Sequence, residues 1–280
     1  MTSCASPAIG RILIVGCPRS GTTYLQSLLA AHPELTSFPE SHVFSRIRPV
    51  TPLLRQSGFA APKAIRRARA FVAQQGGPGM GSAGRNTAGV ARWFAEQLDA
   101  IAQRRGVTCW IEKTPVNLHA LPHLTCWLPD AGCVHLVRSG EDVAASLYDA
   151  TRQDPAAWGG AWSAAKCARR WRGDIARTRR YAVMPRHAVV RYEDLIQDTA
   201  GIVRGLCGFL GVTFHPAMLR GVNPWAAGLA RDFETWKAPV AGGGSRKFDT
   251  MLNPRQQRRV RRIIAGIAPP PTSLGEHHSG

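Results

Sequence analysis

Nowhere in this 280-residue chain does an apolar run approach the ~20 residues that a helix needs to cross a bilayer, so the sequence predicts no membrane span. The first residues, Met1-Thr2-Ser3-Cys4-Ala5-Ser6-Pro7, lack the basic stretch of a secretion signal. The expectation is therefore a cytoplasmic protein. Paired cysteines are also missing. The seven present (4, 17, 109, 126, 133, 167 and 207) are odd in number, scattered, and contain no Cys-x-x-Cys. That pattern argues against a disulfide framework or a zinc site and fits a reducing compartment. Acidic residues are scarce, 18 against 36 basic ones, for a net charge of +18. Clusters at Arg66-Arg67-Ala68-Arg69, Arg169-Arg170-Trp171-Arg172 and Arg255 to Arg262 raise the question of nucleic acid. Without a recognised binding motif or interleaved aromatics they read as solvated helix faces, and no nucleic-acid partner is expected. A positive cleft would also attract a small ligand with several negative charges.

One further absence is more telling. The run Ile12-Leu13-Ile14-Val15 feeds Gly16-Cys17-Pro18-Arg19-Ser20-Gly21, and a segment of helical periodicity opens at Thr22-Thr23. A strand, a turn of bare N–H groups and a helix N-terminus together make an anion cradle. The spacing Gly16-x4-Gly21 is that of a Walker A loop, but Thr22 stands where a nucleotide triphosphatase has its Lys. The contact to a β/γ-phosphate pair is lost, and a cation appears inside the loop instead, at Arg19. With no such pair to bridge, no divalent metal is demanded.

A second block, Val134-His135-Leu136-Val137-Arg138-Ser139-Gly140-Glu141-Asp142, reads as a buried strand ending at Arg138 and a helix starting after Gly140. Ser146 follows Arg138 by eight residues, about two helical turns, so the cation and the hydroxyl can converge on one anion.

Gly-x-Pro-Arg-Ser-Gly-Thr-Thr resembles the 5′-phosphosulfate loop of sulfotransferases, whose donor is 3′-phosphoadenosine 5′-phosphosulfate (PAPS) and whose product is PAP. Arg138 and Ser146 resemble the 3′-phosphate site of that family. The resemblance implies that Pro18, Arg19, Ser20, Gly21, Thr22 and Thr23 hold the donor and that Lys113, in Ile111-Glu112-Lys113-Thr114-Pro115, contacts the bridging oxygen or the transferring group. It also implies that Tyr192, in Tyr192-Glu193-Asp194, lies by the adenine. Trp236-Lys237-Ala238-Pro239-Val240 and Ser245-Arg246-Lys247-Phe248 look like a weakened version of the C-terminal cofactor segment, a flap over about residues 236–250. Cytosolic small-molecule members carry a His two residues after the Lys, where this chain has Pro115. The segment Ala31–Ser41 resembles instead the tyrosylprotein sulfotransferases and related bacterial enzymes, which place a Glu base at the position of Glu40. A carboxylate suits this work if partial burial raises its pKa. His42 is the alternative base or an acceptor-orienting group, and His119 a more distant candidate. Cys17 sits in the loop either as a thiol with lowered pKa or as a tolerated small residue.

Strands at Arg11–Gly16, Leu35–Phe38, Thr108–Glu112, Gly132–Val137 and His187–Arg191 alternate with helical segments. The helices are read at about Thr22–Ala31, Pro62–Gln75, Thr87–Arg105, Gly140–Ala150, Trp158–Tyr181 and Thr199–Leu210. The expected fold is α/β, P-loop-type, with a mostly parallel central sheet flanked by helices on both faces. One domain spans 1–280, with a Pro-, Gly- and Ala-rich insertion or lid at about 49–89, including a flexible loop over 76–82. The expected chemistry is in-line transfer of a sulfuryl group from PAPS to a hydroxyl or amine, with Glu40, Lys113 and Arg19 as catalytic residues and no metal. The acceptor is a small molecule, glycan, lipid or peptide, and a homodimer is compatible with the sequence. A P-loop phosphotransferase and a basic nucleic-acid-binding protein are the competing readings.

Overall fold

The computed structural model describes residues 10–48, 56–220 and 247–274. Its centre is β1 (Arg11–Gly16), whose side chains are apolar on both faces: Leu13 and Val15 enter one cluster, Ile12 and Ile14 the other. A strand with no polar face must be covered twice, and this is the property of a parallel sheet between helical layers. After β1 come α1 (Thr22–Ala30), β2 (Leu35–Phe38), the short α2 (Val43–Arg46), α3 (Pro62–Gln74), α4 (Thr87–Arg104) and β3 (Cys109–Lys113). A 3-10 turn (Pro115–His119), α5 (Leu121–Trp127), β4 (Gly132–Val137), α6 (Gly140–Gln153), α7 (Pro155–Trp158), α8 (Ala164–Tyr181) and β5 (His187–Arg191) follow. Last are α9 (Tyr192–Gln197), α10 (Thr199–Leu210), a 3-10 turn (Pro216–Leu219), α11 (Lys247–Met251) and α12 (Pro254–Ile264).

The five strands run in the order β2-β3-β1-β4-β5, and every pairing is parallel. The chain leaves β1 toward β2 and later adds β4 on the other side, so the order reverses at β1. The crevice beyond the carboxyl end of such a strand is where open α/β sheets bind ligands. β1 and β4 approach so closely that a Cβ on Gly16 would lie 2.4 Å from the Leu136 carbonyl oxygen. One layer packs Phe71 of α3 and Phe94 of α4 on Phe38 and Trp110, the other packs α1 and α10 on Ile14, Val134 and Val190. A third cluster joins α6, α8 and α12 through Leu147, Trp171 and Val260.

Several sequence expectations need correction. The helix expected over Trp158–Tyr181 is two helices, because Gly159 (φ 65°) closes α7 and Ser163 caps α8 afresh by accepting from the Lys166 N–H. The strand before Lys113 extends through it, so Lys113 is a buried strand residue rather than the first residue of a loop. The last strand ends at Arg191, where the sequence reading ends it, and Tyr192-Glu193-Asp194 opens the following helix. The described part of the expected lid is built into the core: Ala64, Ala68, Phe71 and Val72 of α3 are buried. Its glycine-rich stretch is tied down, since the Met80 carbonyl accepts from Trp93 Nε1 (2.9 Å) and Gln97 Nε2 (3.3 Å). Residues 49–55 lie outside the described residues.

Candidate active site

The loop after β1 turns through two positive-φ residues, Arg19 (φ 74°) and Gly21 (φ 97°). At Gly21 a side chain is excluded twice, by that conformation and by the Tyr192 ring, which a Cβ would meet at 2.5 Å. No side chain caps α1, which begins at Thr22 after Gly21, and the Tyr24 N–H donates to the Gly21 carbonyl at 3.0 Å. Ser20 Oγ is buried with no hydrogen-bond partner. Arg19 Nε donates to Ser146 Oγ on α6 at 3.2 Å, tying the loop to the second motif.

β3 delivers Lys113, 2% exposed, under this loop. Its Nζ donates to Thr23 Oγ1 (3.1 Å) and to Glu40 Oε1 (2.6 Å). The other oxygen, Glu40 Oε2, lies 3.2 Å from His42 Nε2. Three residues named from distant parts of the sequence therefore meet. The expectation that burial raises the Glu40 pKa is overturned in this arrangement. Burial does push it upward, but the His42 hydrogen bond and the Lys113 ammonium outweigh that and bring it down to about 2.

Beside Lys113 is a residue that sequence reasoning passed over. Glu112 is fully buried, and both of its carboxyl oxygens are met by hydrogen-bond donors. Its Oε1 accepts from the Ser41 N–H (3.2 Å), Ser41 Oγ (2.7 Å) and Thr114 Oγ1 (2.5 Å), and its Oε2 from Asn117 Nδ2 (2.7 Å). Burial raises its pKa, against the pull of the Thr114 and Ser41 hydrogen bonds. The only available signal was an acid inside an apolar strand, where an exposed edge is the usual explanation.

On the other side of β1, Arg138 stands at the end of β4, with its guanidinium carbon 4.3 Å from the centre of the Tyr192 ring. Arg138 Nη2 donates to Asp142 Oδ2 at 3.3 Å, while its Nε is buried without a partner. Ser139 caps α6 by accepting from the Asp142 N–H, worth ~1 kcal/mol, and its own N–H is held by Glu193 Oε1 at 2.9 Å. Tyr192, Glu193 and Asp194 thus have separate tasks: a ring against Gly21, a brace on Ser139, and an anchor for Thr272 Oγ1 at 2.6 Å.

His119 is not brought to Glu40's ion pair. Its Nε2 lies 2.7 Å from Asp174 Oδ1, and Arg170 Nε donates to the same carboxylate at 2.6 Å. Cys17 is buried and its pKa is raised well above the usual thiol value by burial, which rules against a thiol with lowered pKa and leaves the reading of a tolerated small residue. Ser245 and Arg246, with Trp236 and Lys237, lie outside the described residues. Lys247 opens α11 and its Nζ donates to Asp149 Oδ2 at 2.6 Å. Cys133, His135 and His187 form a buried cluster on β4 and β5, with His135 Nε2 2.9 Å from His187 Nδ1. A ligating imidazole ordinarily bonds a second partner through its other nitrogen, and His135 Nδ1 has none. The arrangement is that of a hydrogen-bonded imidazole pair inside the core.

A sequence model described as the sulfotransferase family matches residues 11–216, which spans β1 through the start of the final 3-10 turn. The chain belongs to the sulfotransferase family. Among solved structures, this sulfotransferase is similar to the sulfotransferase domain from the curacin biosynthetic pathway, with a TM-score of 0.58 and 21% identity over 93% of this chain and 99% of that one. The sulfotransferase domain of the Synechococcus PCC 7002 olefin synthase gives 0.52 and 22% over 94% and 90%. A mouse sulfotransferase solved with PAP gives 0.51 and 13% over 93% and 86%. These likenesses support the all-parallel α/β fold. No curated protein sequence matches this one significantly. Among the described residues no helix is long and apolar enough to cross a membrane.

Proposed function

We propose that this sulfotransferase moves the sulfuryl group of PAPS to a hydroxyl or amine acceptor, with Glu40 as general base. The observation that carries the reading is the contact of Lys113 with both Thr23 and Glu40, which links the anion loop, a buried cation and a carboxylate within hydrogen-bond range. The unpaired Ser20 Oγ and Arg138 Nε fit an arriving anion, as does the uncapped N-terminus of α1.

In this reading the loop N–H groups, Arg19 and the hydroxyls of Thr22 and Thr23 hold the sulfuryl oxygens. Arg138 and Ser146 bind the 3′-phosphate, Tyr192 flanks the adenine, and Ser245, Arg246 and Lys247 contribute from the C-terminal segment. Lys113 turns from Glu40 to the bridging oxygen of the donor and neutralises the charge that develops there. Glu40 then loses its strongest cation while remaining buried, so its proton affinity rises at the moment a base is needed. Glu40 takes the acceptor proton as the new O–S (or N–S) bond forms, the bond from sulfur to the bridging oxygen breaks, and PAP leaves. The acceptor, a small molecule, glycan, lipid or peptide, is selected by the wall formed from the segment before α4 and by the Trp158–Trp171 region.

Thermal unfolding with PAP and with ATP–Mg²⁺, followed by transfer from labelled PAPS, tests the assignment. PAP is expected to give the larger stabilisation. A larger shift with ATP–Mg²⁺ revives the phosphotransferase reading.

A further inference from the structure

The turn that carries the proposed base has an awkward backbone. Two residues after Glu40, His42 adopts φ 54° and ψ 17°, the left-handed region that a residue with a Cβ enters at a cost. Such a conformation persists where its surroundings over-determine it, and here each neighbouring group leads back to one carboxylate. Ser41 bonds Glu112 through both its N–H and its hydroxyl. The Val43 N–H donates to the same Ser41 Oγ at 3.1 Å. The His42 N–H donates to Thr114 Oγ1 at 3.4 Å, and Thr114 Oγ1 donates in turn to Glu112 Oε1. Three consecutive backbone N–H groups, those of Ser41, His42 and Val43, are therefore fixed directly or through one hydroxyl by a single buried side chain.

We infer that Glu112 is a positioning residue for sulfuryl transfer, a buried acid that clamps the Ser41–Val43 turn and so sets Glu40 and His42 against Lys113. The inference rests on the proposed role of Glu40 as base. Glu112 and Lys113 are adjacent on β3, and successive strand side chains point to opposite sides, so one strand end holds the Glu40 carboxylate through its ion pair on one side and the Ser41 turn that follows it on the other. No cation contacts Glu112 among the described residues, and an ionised carboxylate at this depth is costly. A protonated Glu112 keeps Oε1 as the acceptor for Ser41 and Thr114. Its Oε2–H then has a waiting partner in Asn117 Oδ1, the buried amide oxygen left unpaired when Asn117 donates, once that amide turns over.

A neutral clamp can be replaced by an amide. Glu112→Gln offers one oxygen to Ser41 and Thr114 and one NH₂ to the turned Asn117. Glu112→Ala instead leaves the Ser41 N–H, Ser41 Oγ and Thr114 Oγ1 without their acceptor and Asn117 without its partner. The expected result, measured below the melting temperature of each variant, is a fall in kcat of tenfold or more for Glu112→Ala, with the dissociation constant for PAP within threefold of wild type. Glu112→Gln is expected to restore kcat to within about threefold. Because Glu112→Ala is at risk of misfolding, Thr114→Val supplies an isosteric cut of the link to His42 alone, with kcat expected to fall severalfold at unchanged PAP affinity. Wild-type kcat in Glu112→Ala or in Thr114→Val overturns the proposal. Loss of PAP affinity in step with kcat, or a Glu112→Gln as impaired as Glu112→Ala, overturns it too. Absence of sulfuryl transfer by the wild-type enzyme overturns the functional reading and this proposal with it, whereas failure of the proposal alone shows as an unimpaired variant beside an active wild type.

Discussion

Lys113 Nζ and Glu40 Oε1 lie 2.6 Å apart, with the lysine buried and the carboxylate held near pKa 2. In the proposed mechanism, the resting site therefore holds its base as half of an ion pair. A carboxylate in that state is a poor proton acceptor at neutral pH, and it becomes a competent one when the ammonium is drawn to another anion.

This arrangement separates two pH profiles. The kcat/KM for PAPS reports the free enzyme and kcat the loaded one. Glu40 is ionised in the free enzyme down to about pH 2, so the acid limb of kcat is expected at higher pH than any limb of kcat/KM attributable to Glu40. Coincident limbs would show that Lys113 does not release Glu40. Glu40→Gln should lower kcat by about 10²–10⁴ with PAP affinity retained, and Lys113→Ala should impair turnover and weaken PAPS more than PAP.

Arg138→Ala should erase most of the preference for PAP over 5′-AMP, which lacks the 3′-phosphate. A charge-assisted hydrogen bond of ~1.5–3 kcal/mol corresponds to about 10- to 160-fold in the ratio of dissociation constants, measured by calorimetry. Undiminished discrimination would move the 3′-phosphate site elsewhere.

His119→Ala should keep turnover near wild type, because its imidazole is committed to Asp174. A dead His119→Ala beside an active Glu40→Gln would transfer the base role to His119 and place the enzyme with the small-molecule branch.

Acid should destabilise the fold through β4 and β5. Burial pushes His135 down to about 3, with His187 adding to the shift, and burial pushes His187 down to about 4. Between those values and the ordinary ~6.5, the unfolded chain binds protons that the folded one refuses, so stability falls as pH drops below about 6.5. Two such groups give a slope of at most ~2.7 kcal/mol per pH unit. Urea unfolding at pH 7 and pH 5.5 checks this, with His135→Gln/His187→Gln expected to flatten the dependence. Equal slopes would remove the pair as the cause.

Much of this site was legible because its residues sit at strand ends, where pattern and motif coincide. Gly16 through Thr23, Arg138 and Tyr192 each follow a short run rich in β-branched residues that reads as a buried strand, and the parallel sheet aligns those ends. What stayed hidden depends on contacts between distant segments. The pKa of Glu40 is lowered by the His42 hydrogen bond and by Lys113, 73 positions away, so burial could be anticipated and the ion pair could not. Glu112 looked like an ordinary charge beside a lysine until the Ser41 turn was placed over it. The break at Gly159-Gly160 was visible in composition, but helical propensity on both sides concealed it. The Ser245-Arg246 part of the C-terminal segment lies outside the described residues and awaits its own test.

The close approach of β1 and β4 at Gly16 and Leu136 has a consequence for the evolution of donor choice. The loop after β1 and Arg138 after β4 are spaced by the pitch of neighbouring strands, ~4.8 Å, and by a register that pairs Gly16 with Leu136. If the proposed donor site holds, the sheet is a gauge against which the two ends of a nucleotide are measured. Loops can be rewritten freely around such a gauge, and acceptors exchanged. Its calibration changes only if a strand slips, and a slip of one residue would turn Arg138 and every core side chain of β4 to the wrong face.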